Sequence, residues 1–261
     1  MNKIIRGKRA VAFLDILGFK NMIKDNTLDE VIRKYELIID QLQGLIGFYK
    51  EGDRYYNDNI QYFIASDSIV VIANEDNKEA YKDLIAFVFR FLQLSIAHEM
   101  PLRGGITYGE VYVNASRNIF LGQAIVDAVQ LEGKQEWIGV AIDSTATTRY
   151  SEELLQDYLG PIFEVLLPMY DVAMKRGEKK RCQVINWRLN ILAEKGIEGL
   201  FNTSEIENVQ VKIDNTLKFA EYLQEQKSDY IYAENPDELP MVYRRFFIGN
   251  ESWITKMTGG K

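Results

Sequence analysis

Strand-like and helix-like periodicities alternate along this chain in the order β-α-β-β-α-β with additions, which predicts an α+β fold. Three observations carry that reading: an apolar run at Val11 to Ile16, a paired run around Tyr62 to Ser66 and Ile69 to Ile72, and amphipathic stretches between them. The order is that of the ferredoxin-like split βαβ arrangement. From Leu189 the strand signals fade, so residues 1–188 are expected to form the main domain and residues 189–261 a helical C-terminal extension packed on the core or on a partner subunit.

Val11 to Ile16 reads as a buried strand. Leu28 to Tyr49 places Val31, Tyr35, Ile38, Ile39, Leu42, Leu45 and Ile46 at three- and four-residue steps, the spacing of a helix face. The next two strands meet at Ser66-Asp67-Ser68, a hairpin with Asp67 near its tip. Tyr81 to Glu99 is a second amphipathic helix. Arg103 to Asn114 is a strand or hairpin in which Gly104, Gly105 and Gly109 permit close backbone approach.

Gly122 to Glu136 is expected to be helical, Ile138 to Asp143 extended, and Ser144 to Tyr158 helical with Ser144 or Thr145 as its cap. Strands follow near Phe163 to Leu167 and Cys182 to Trp187. Ile213 to Lys227 carries a last helix pattern through Leu217, Phe219, Ala220 and Leu223, and the tail MTGGK is expected to fray.

With 261 residues, 47% of them hydrophobic, the chain has ample material for one large core. The net charge of −7, from 31 basic and 38 acidic residues, argues against nucleic acid or an anionic membrane as main partner. The apolar stretch Leu84 to Ala97 is interrupted by Arg90 and Gln93 and is too short to span a bilayer. No secretory h-region follows the N-terminus, so a cytoplasmic location is expected. One Cys182 permits no intrachain disulfide, one His98 is too few for a histidine-based zinc site, and His98 at the end of an amphipathic helix reads as structural. Chemistry must then run on carboxylates, lysines, arginines and backbone.

Asp15 and Asp67 each interrupt an otherwise apolar run, VAFLDILGF and QYFIASDSIVVIA. Burying an unpaired carboxylate costs several kcal/mol, so the pair points to a shared cation or to a buried donor network. For Asp15 alone a capped or salt-bridged strand end competes with metal binding. The two residues together favour metal.

Four segments in order carry a family resemblance: VAFLDILGF, FIASDSIVVIA, LRGGITYGEVY (Leu102 to Tyr112) and FLGQAIVDAVQLE (Phe120 to Glu132). Over roughly the first 190 residues they resemble the class III nucleotidyl cyclases. That resemblance implies Asp15 and Asp67 as ligands of two Mg²⁺ or Mn²⁺ ions per active site, about 4 Å apart, with the Ile16 carbonyl helping. It implies that Leu17, Gly18 and Phe19 cradle the β- and γ-phosphates. It also implies a homodimer with active sites across the interface and in-line attack of the ribose 3′-hydroxyl on the α-phosphorus.

The departures from the family are specific. Its adenine-reading lysine and aspartate fall at Phe63 and Ile119, and a bulky Phe63 beside Tyr62 is expected to shrink the base pocket. Its transition-state asparagine and arginine fall at Val126 and Gln130. Replacement cations are sought in Arg103 and in the run MKRGEKKR, with Lys175 or Lys179 taking the place of the family's phosphate-binding lysine. Bland alternatives stand beside each: Arg103 pairing with a carboxylate, the lysines forming a solvated turn, and Tyr62 or Phe63 packing in the core.

Retained metal aspartates with lost purine readers look like the pyrimidine cyclases of the bacterial Pycsar antiphage defence. The likeness implies conversion of UTP, or else CTP, to its 3′,5′-cyclic monophosphate, which then acts on a separate effector protein. The alternative is a degenerate cyclase-homology domain serving as a nucleotide-binding or dimerisation module. A polymerase-palm relative would need a second acidic residue at the hairpin, which Ser66-Asp67-Ser68 lacks.

Overall fold

The computed structural model describes residues 4–45, 49–51, 54–56, 58–156, 166–187 and 207–225. The elements are β1 (Ile5–Ile16), α1 (Phe19–Asp25), α2 (Leu28–Leu45), β2 (Tyr49–Glu51), β3 (Arg54–Tyr56), β4 (Ile60–Ala65), β5 (Ser68–Ala73) and α3 (Lys78–Ala97). They continue with β6 (Leu102–Asn114), β7 (Ile119–Leu121), α4 (Gln123–Lys134), β8 (Gly139–Ile142), α5 (Ser144–Leu155), β9 (Met169–Ala173), β10 (Lys179–Val184) and α6 (Glu207–Glu225).

An eight-stranded sheet runs in the order β4-β5-β1-β6-β8-β10-β9, with β7 pairing to β6. The segment β6-β1-β5-β4 is antiparallel throughout and is the split βαβ arrangement expected from the sequence. Among the described residues only β6 and β8 pair in parallel. The fold is α+β, as the periodicity predicts.

The two faces of the sheet are covered unequally. On one, Ala10, Ala12, Leu14 and Ile16 of β1 join the main core with Ile38 of α2, Leu84 and Phe87 of α3, Ala146 and Tyr150 of α5, and Ile213 and Phe219 of α6. On the other, Val11 of β1 joins a smaller cluster with Ile72, Val111 and Val113 beneath Ala124 and Ala128 of α4, and Phe13, Phe63 and Phe120 pack against it half-buried. The period-two alternation of β1 thus sends Asp15 to the α4 face.

Several boundaries differ from the expectation. β1 starts at Ile5 because the polar stretch Arg6 to Arg9 still pairs residue by residue with Gly109 to Tyr112. α2 is described from Leu28 to Leu45, and Tyr49, a good strand former, pairs with Tyr56 instead of lying in the helix. The cap of α5 is Asp143, whose carboxylate accepts from the Thr145 N–H at 3.0 Å, and not Ser144 or Thr145.

The strand expected near Phe163 to Leu167 lies after Pro168, at Met169–Ala173, and Phe163 is outside the described residues. A proline has no N–H to give a ladder and is tolerated at such a strand start. β10 covers Lys179–Val184, three residues ahead of Cys182 to Trp187, because Lys179 and Lys180 pair with Ala173 and Val172. Within 189–261, α6 is described and packs on the core through Ile213, Phe219 and Leu223; MTGGK is outside the described residues. No helix among the described residues is long and apolar enough to cross a membrane.

Candidate active site

Asp15 stands on the α4 face near the end of β1, opposite Ser68 of β5 and Arg103 of β6. Ala65 pairs with Ser68, which leaves Ser66 and Asp67 as a two-residue turn with Ser66 in the left-handed region at φ 60°. The Ile16 N–H donates to the Asp67 carbonyl at 3.0 Å. Strand pairing and this bond bring the two sequence-predicted carboxylates together.

The environment of Asp15 opposes its charge. Burial, then repulsion from Glu132 and Asp67, pushes the Asp15 carboxyl up to about 6, while Arg103 pulls the other way. Asp15, Asp67 and the Ile16 carbonyl are hard oxygen donors, the chemistry that Mg²⁺ and Mn²⁺ prefer. Among the described residues no third Asp, Glu, His or Cys completes a metal-binding cluster. The donor set therefore fits cations whose remaining positions are filled by water or phosphate oxygens, the usual Mg²⁺ arrangement.

Arg103 is buried and committed. Its Nε donates to Glu132 Oε1 at 2.5 Å, its Nη2 forms an ion pair with the same oxygen, and its Nη1 donates to the Gln135 carbonyl at 2.8 Å. Of the two roles open to it from sequence, pairing with a carboxylate is the one seen. Gln135 is fixed in turn, donating to the Gly104 carbonyl at 2.7 Å and accepting from Trp137 Nε1 at 2.7 Å. The C-terminal end of α4 is thereby tied to β6 beside Asp15.

Glycines let α4 approach that closely. A Cβ on Gly105 would sit 2.8 Å from the Ala128 carbonyl and 3.0 Å from Leu131 Cβ. Thr107 Oγ1 donates to the Ala124 carbonyl at 2.7 Å one turn earlier. Helix and strand are held in a single register.

The segment expected to cradle phosphate leads from β1 into α1. Leu17 gives its N–H to the Pro101 carbonyl at 2.8 Å, so its amide is already used. Gly18 is left-handed at φ 76°, and Phe19 opens α1, whose first N–H groups have no intrahelical acceptor. Gly18 and Phe19 are the amides left for an anion. Tyr35 of α2 reaches this corner as well: its ring meets Phe19 edge-on at 6.2 Å and its hydroxyl donates to the Ser66 carbonyl at 2.9 Å. Burial and the charges of Asp67 and Asp15 hold the Tyr35 phenol above its ordinary range, so it stays a donor.

The three residues expected around the base are divided. Phe63 faces the same side as Asp15 and packs on Phe120 at 4.6 Å, next to Ile119 of β7. Tyr62 points to the other side and packs on Phe87 of α3 at 5.1 Å. Alternation along β4 separates them.

Lys175 and Lys179 flank the β9–β10 turn and line a cleft of about 710 Å³ beside α4. Lys134, Arg176 and Lys180 add positive charge there, and Gln130 lines it too; Lys180 is paired with Asp143 at 2.8 Å. Among the described residues no hydrogen bond or ion pair joins this cleft to Asp15 or Asp67. Five basic residues line the cleft together with the carboxylates of Asp127, Asp143 and Glu178, and it adjoins the Arg103 side of α4, where Gln135 bridges to Met174. Tyr35, Glu132 and Lys134 were not singled out by sequence. Glu132 alone carries a signal in the sequence, as the last residue of the segment FLGQAIVDAVQLE.

No protein-family model matches the sequence, and no curated protein is similar to it. Among solved structures, the chain is similar to the catalytic core of a rhodopsin-guanylyl cyclase with converted specificity in complex with ATPαS. The identity is 12%, over 70% of this chain and 97% of that one, with a TM-score of 0.47. An adenylate/guanylate cyclase/hydrolase from Silicibacter pomeroyi gives 14%, 70%, 96% and 0.43 in the same order. A class III adenylyl cyclase-like ATP-binding protein from Pseudomonas aeruginosa gives 12% identity and 0.41, over 75% of this chain and 41% of its own length.

Proposed function

We propose that this chain is a metal-dependent nucleotide cyclase acting on a pyrimidine nucleoside triphosphate, UTP before CTP, as a homodimer. The observation that carries the reading is the approach of Asp67, on the β4–β5 turn held by the Ile16 N–H, to Asp15 on β1, with the Asp15 carboxyl pushed up to about 6 by burial and then by the charges of Glu132 and Asp67. Two carboxylates that repel each other are a liability to a fold unless a cation joins them.

Asp15, Asp67 and the Ile16 carbonyl would hold Mg²⁺ or Mn²⁺. Such ions lower the pKa of the ribose 3′-hydroxyl and neutralise the departing pyrophosphate. The Gly18 and Phe19 amides orient the β- and γ-phosphates. Phe63 narrows the space on the Asp15 side of the sheet, which favours a one-ring base. Lys175 and Lys179, reaching from a second copy, supply positive charge to the phosphates that Arg103, committed to Glu132, does not. The second copy is what the resemblance to the class III cyclases implies. By the resemblance to the Pycsar enzymes, the cyclic UMP or cyclic CMP formed is a messenger in antiphage defence and acts on a separate effector, in the cytoplasm.

A second reading has one observation behind it. Val126, where the family carries its transition-state asparagine, is an exposed apolar side chain at 47%. That suits a domain that lost catalysis and binds nucleotide or dimerises. Incubation of the purified protein with each labelled nucleoside triphosphate and Mn²⁺ separates the readings. The cyclase reading expects a pyrimidine 3′,5′-cyclic monophosphate with pyrophosphate; binding without product supports the degenerate module, and a purine product contradicts the pocket argument.

A further inference from the structure

The two-residue turn that carries Asp67 has two main-chain carbonyls, and each is held from a different element. The Asp67 carbonyl accepts from the Ile16 N–H of β1 at 3.0 Å, and the Ser66 carbonyl accepts from the Tyr35 hydroxyl of α2 at 2.9 Å. Ser66 is left-handed, a conformation that non-glycine residues keep when surrounding bonds hold them there. The Tyr35 ring also meets Phe19 at 6.2 Å with the planes 82° apart, directly after the left-handed Gly18. One side chain therefore touches both turns of the site: the one bearing a carboxylate and the one leading into α1.

We infer that Tyr35 is a positioning residue, which fixes the Asp67 turn relative to Asp15 and to the Gly18–Phe19 turn so that a divalent cation meets a pre-organised pair of carboxylates. Its hydroxyl bonds a main-chain carbonyl and leaves the Asp67 side chain to the cation. This is the outer support that oxygen-ligated metals depend on, and its loss typically costs about tenfold or more in metal affinity. The inference rests on the cyclase reading only for the identity of the nucleotide; the cation alone tests it.

The variant is Tyr35→Phe, which removes the hydroxyl and keeps the ring on Phe19. Mn²⁺ is titrated into the full chain and free Mn²⁺ is followed by electron paramagnetic resonance, with melting recorded in parallel. The expected result is a Mn²⁺ dissociation constant raised about tenfold, with a melting temperature within a few degrees of wild type. Tyr35→Leu, which also releases Phe19, is expected to weaken Mn²⁺ binding at least as much. Lower melting temperature with an unchanged Mn²⁺ constant would make Tyr35 merely structural and overturn the inference. Wild-type protein that binds no Mn²⁺ overturns the metal site itself and the inference with it. Wild-type protein that binds Mn²⁺ but forms no cyclic nucleotide sinks the cyclase reading alone, and Tyr35 still stands or falls on the Mn²⁺ ratio.

Discussion

Asp15 and Arg103 face each other directly across the β1–β6 ladder, yet the Arg103 guanidinium is spent on Glu132. Asp15 is therefore left with only partial relief from its nearest cation. Burial is the main cause of the raised Asp15 carboxyl, and Glu132, held nearby by Arg103, raises it further and so belongs to the site's electrostatics.

Removing one member of the Arg103–Glu132 pair leaves a buried charge alone. Glu132→Ala is expected to cost about 3–5 kcal/mol of stability, measured as a shift in the urea midpoint. The double variant Arg103→Met, Glu132→Leu is expected to lose far less, since both charges go together. Equal losses in the two proteins would show that the pair is not energetically coupled.

Asp15 also sets a pH dependence with a definite sign. Its folded pKa, about 6, lies above the unfolded 3.8, so the native state binds the proton more tightly. The stability it contributes is whole below the lower value and lost as pH rises through the upper one. In EDTA, Asp15→Asn is expected to melt increasingly above wild type between pH 4 and pH 6 and to hold that lead at higher pH. Added Mn²⁺ should reverse the order near neutrality. Parallel melting curves over this range would contradict the assigned environment.

Gly105 controls the seat of α4. Gly105→Ala puts a methyl group 2.8 Å from the Ala128 carbonyl, and main chain on both sides resists displacement. A loss of about 1–3 kcal/mol is expected, with a fall in kcat/KM because α4 lines the basic cleft. Gly133→Ala is the control, since a Cβ there meets nothing within 4 Å. It is expected to raise stability by about 0.5–1 kcal/mol.

Lys175 and Lys179 are expected to act on binding more than on turnover. Each change to Ala should raise KM for the nucleoside triphosphate about tenfold, the worth of one charged hydrogen bond, and weaken the dependence of KM on salt. Unaltered KM in both variants would remove the β9–β10 turn from the site.

Much of this was legible because strand alternation is a strong signal. The apolar runs around Asp15 and Asp67 located both carboxylates, and the short Ser66-Asp67-Ser68 link located the turn. Partners distant in sequence left no such trace. Arg103 and Glu132 lie 29 residues apart, and Tyr35 reaches Ser66 across 31. In the sequence Tyr35 is one more apolar step on a helix. Asp143, Ser144 and Thr145 are all cap-competent neighbours at the start of α5, and only the folded geometry selects the first. Tyr62 and Phe63 could be told apart only once the register of β4 against β5 was fixed.

The most direct measurement is turnover of labelled UTP in Mn²⁺ by wild type, Asp15→Ala and Asp67→Ala, with circular dichroism and melting recorded on the same samples. Cyclic product from wild type and none from either folded variant is the predicted result. Undiminished product from either variant would contradict a catalytic role for the paired carboxylates.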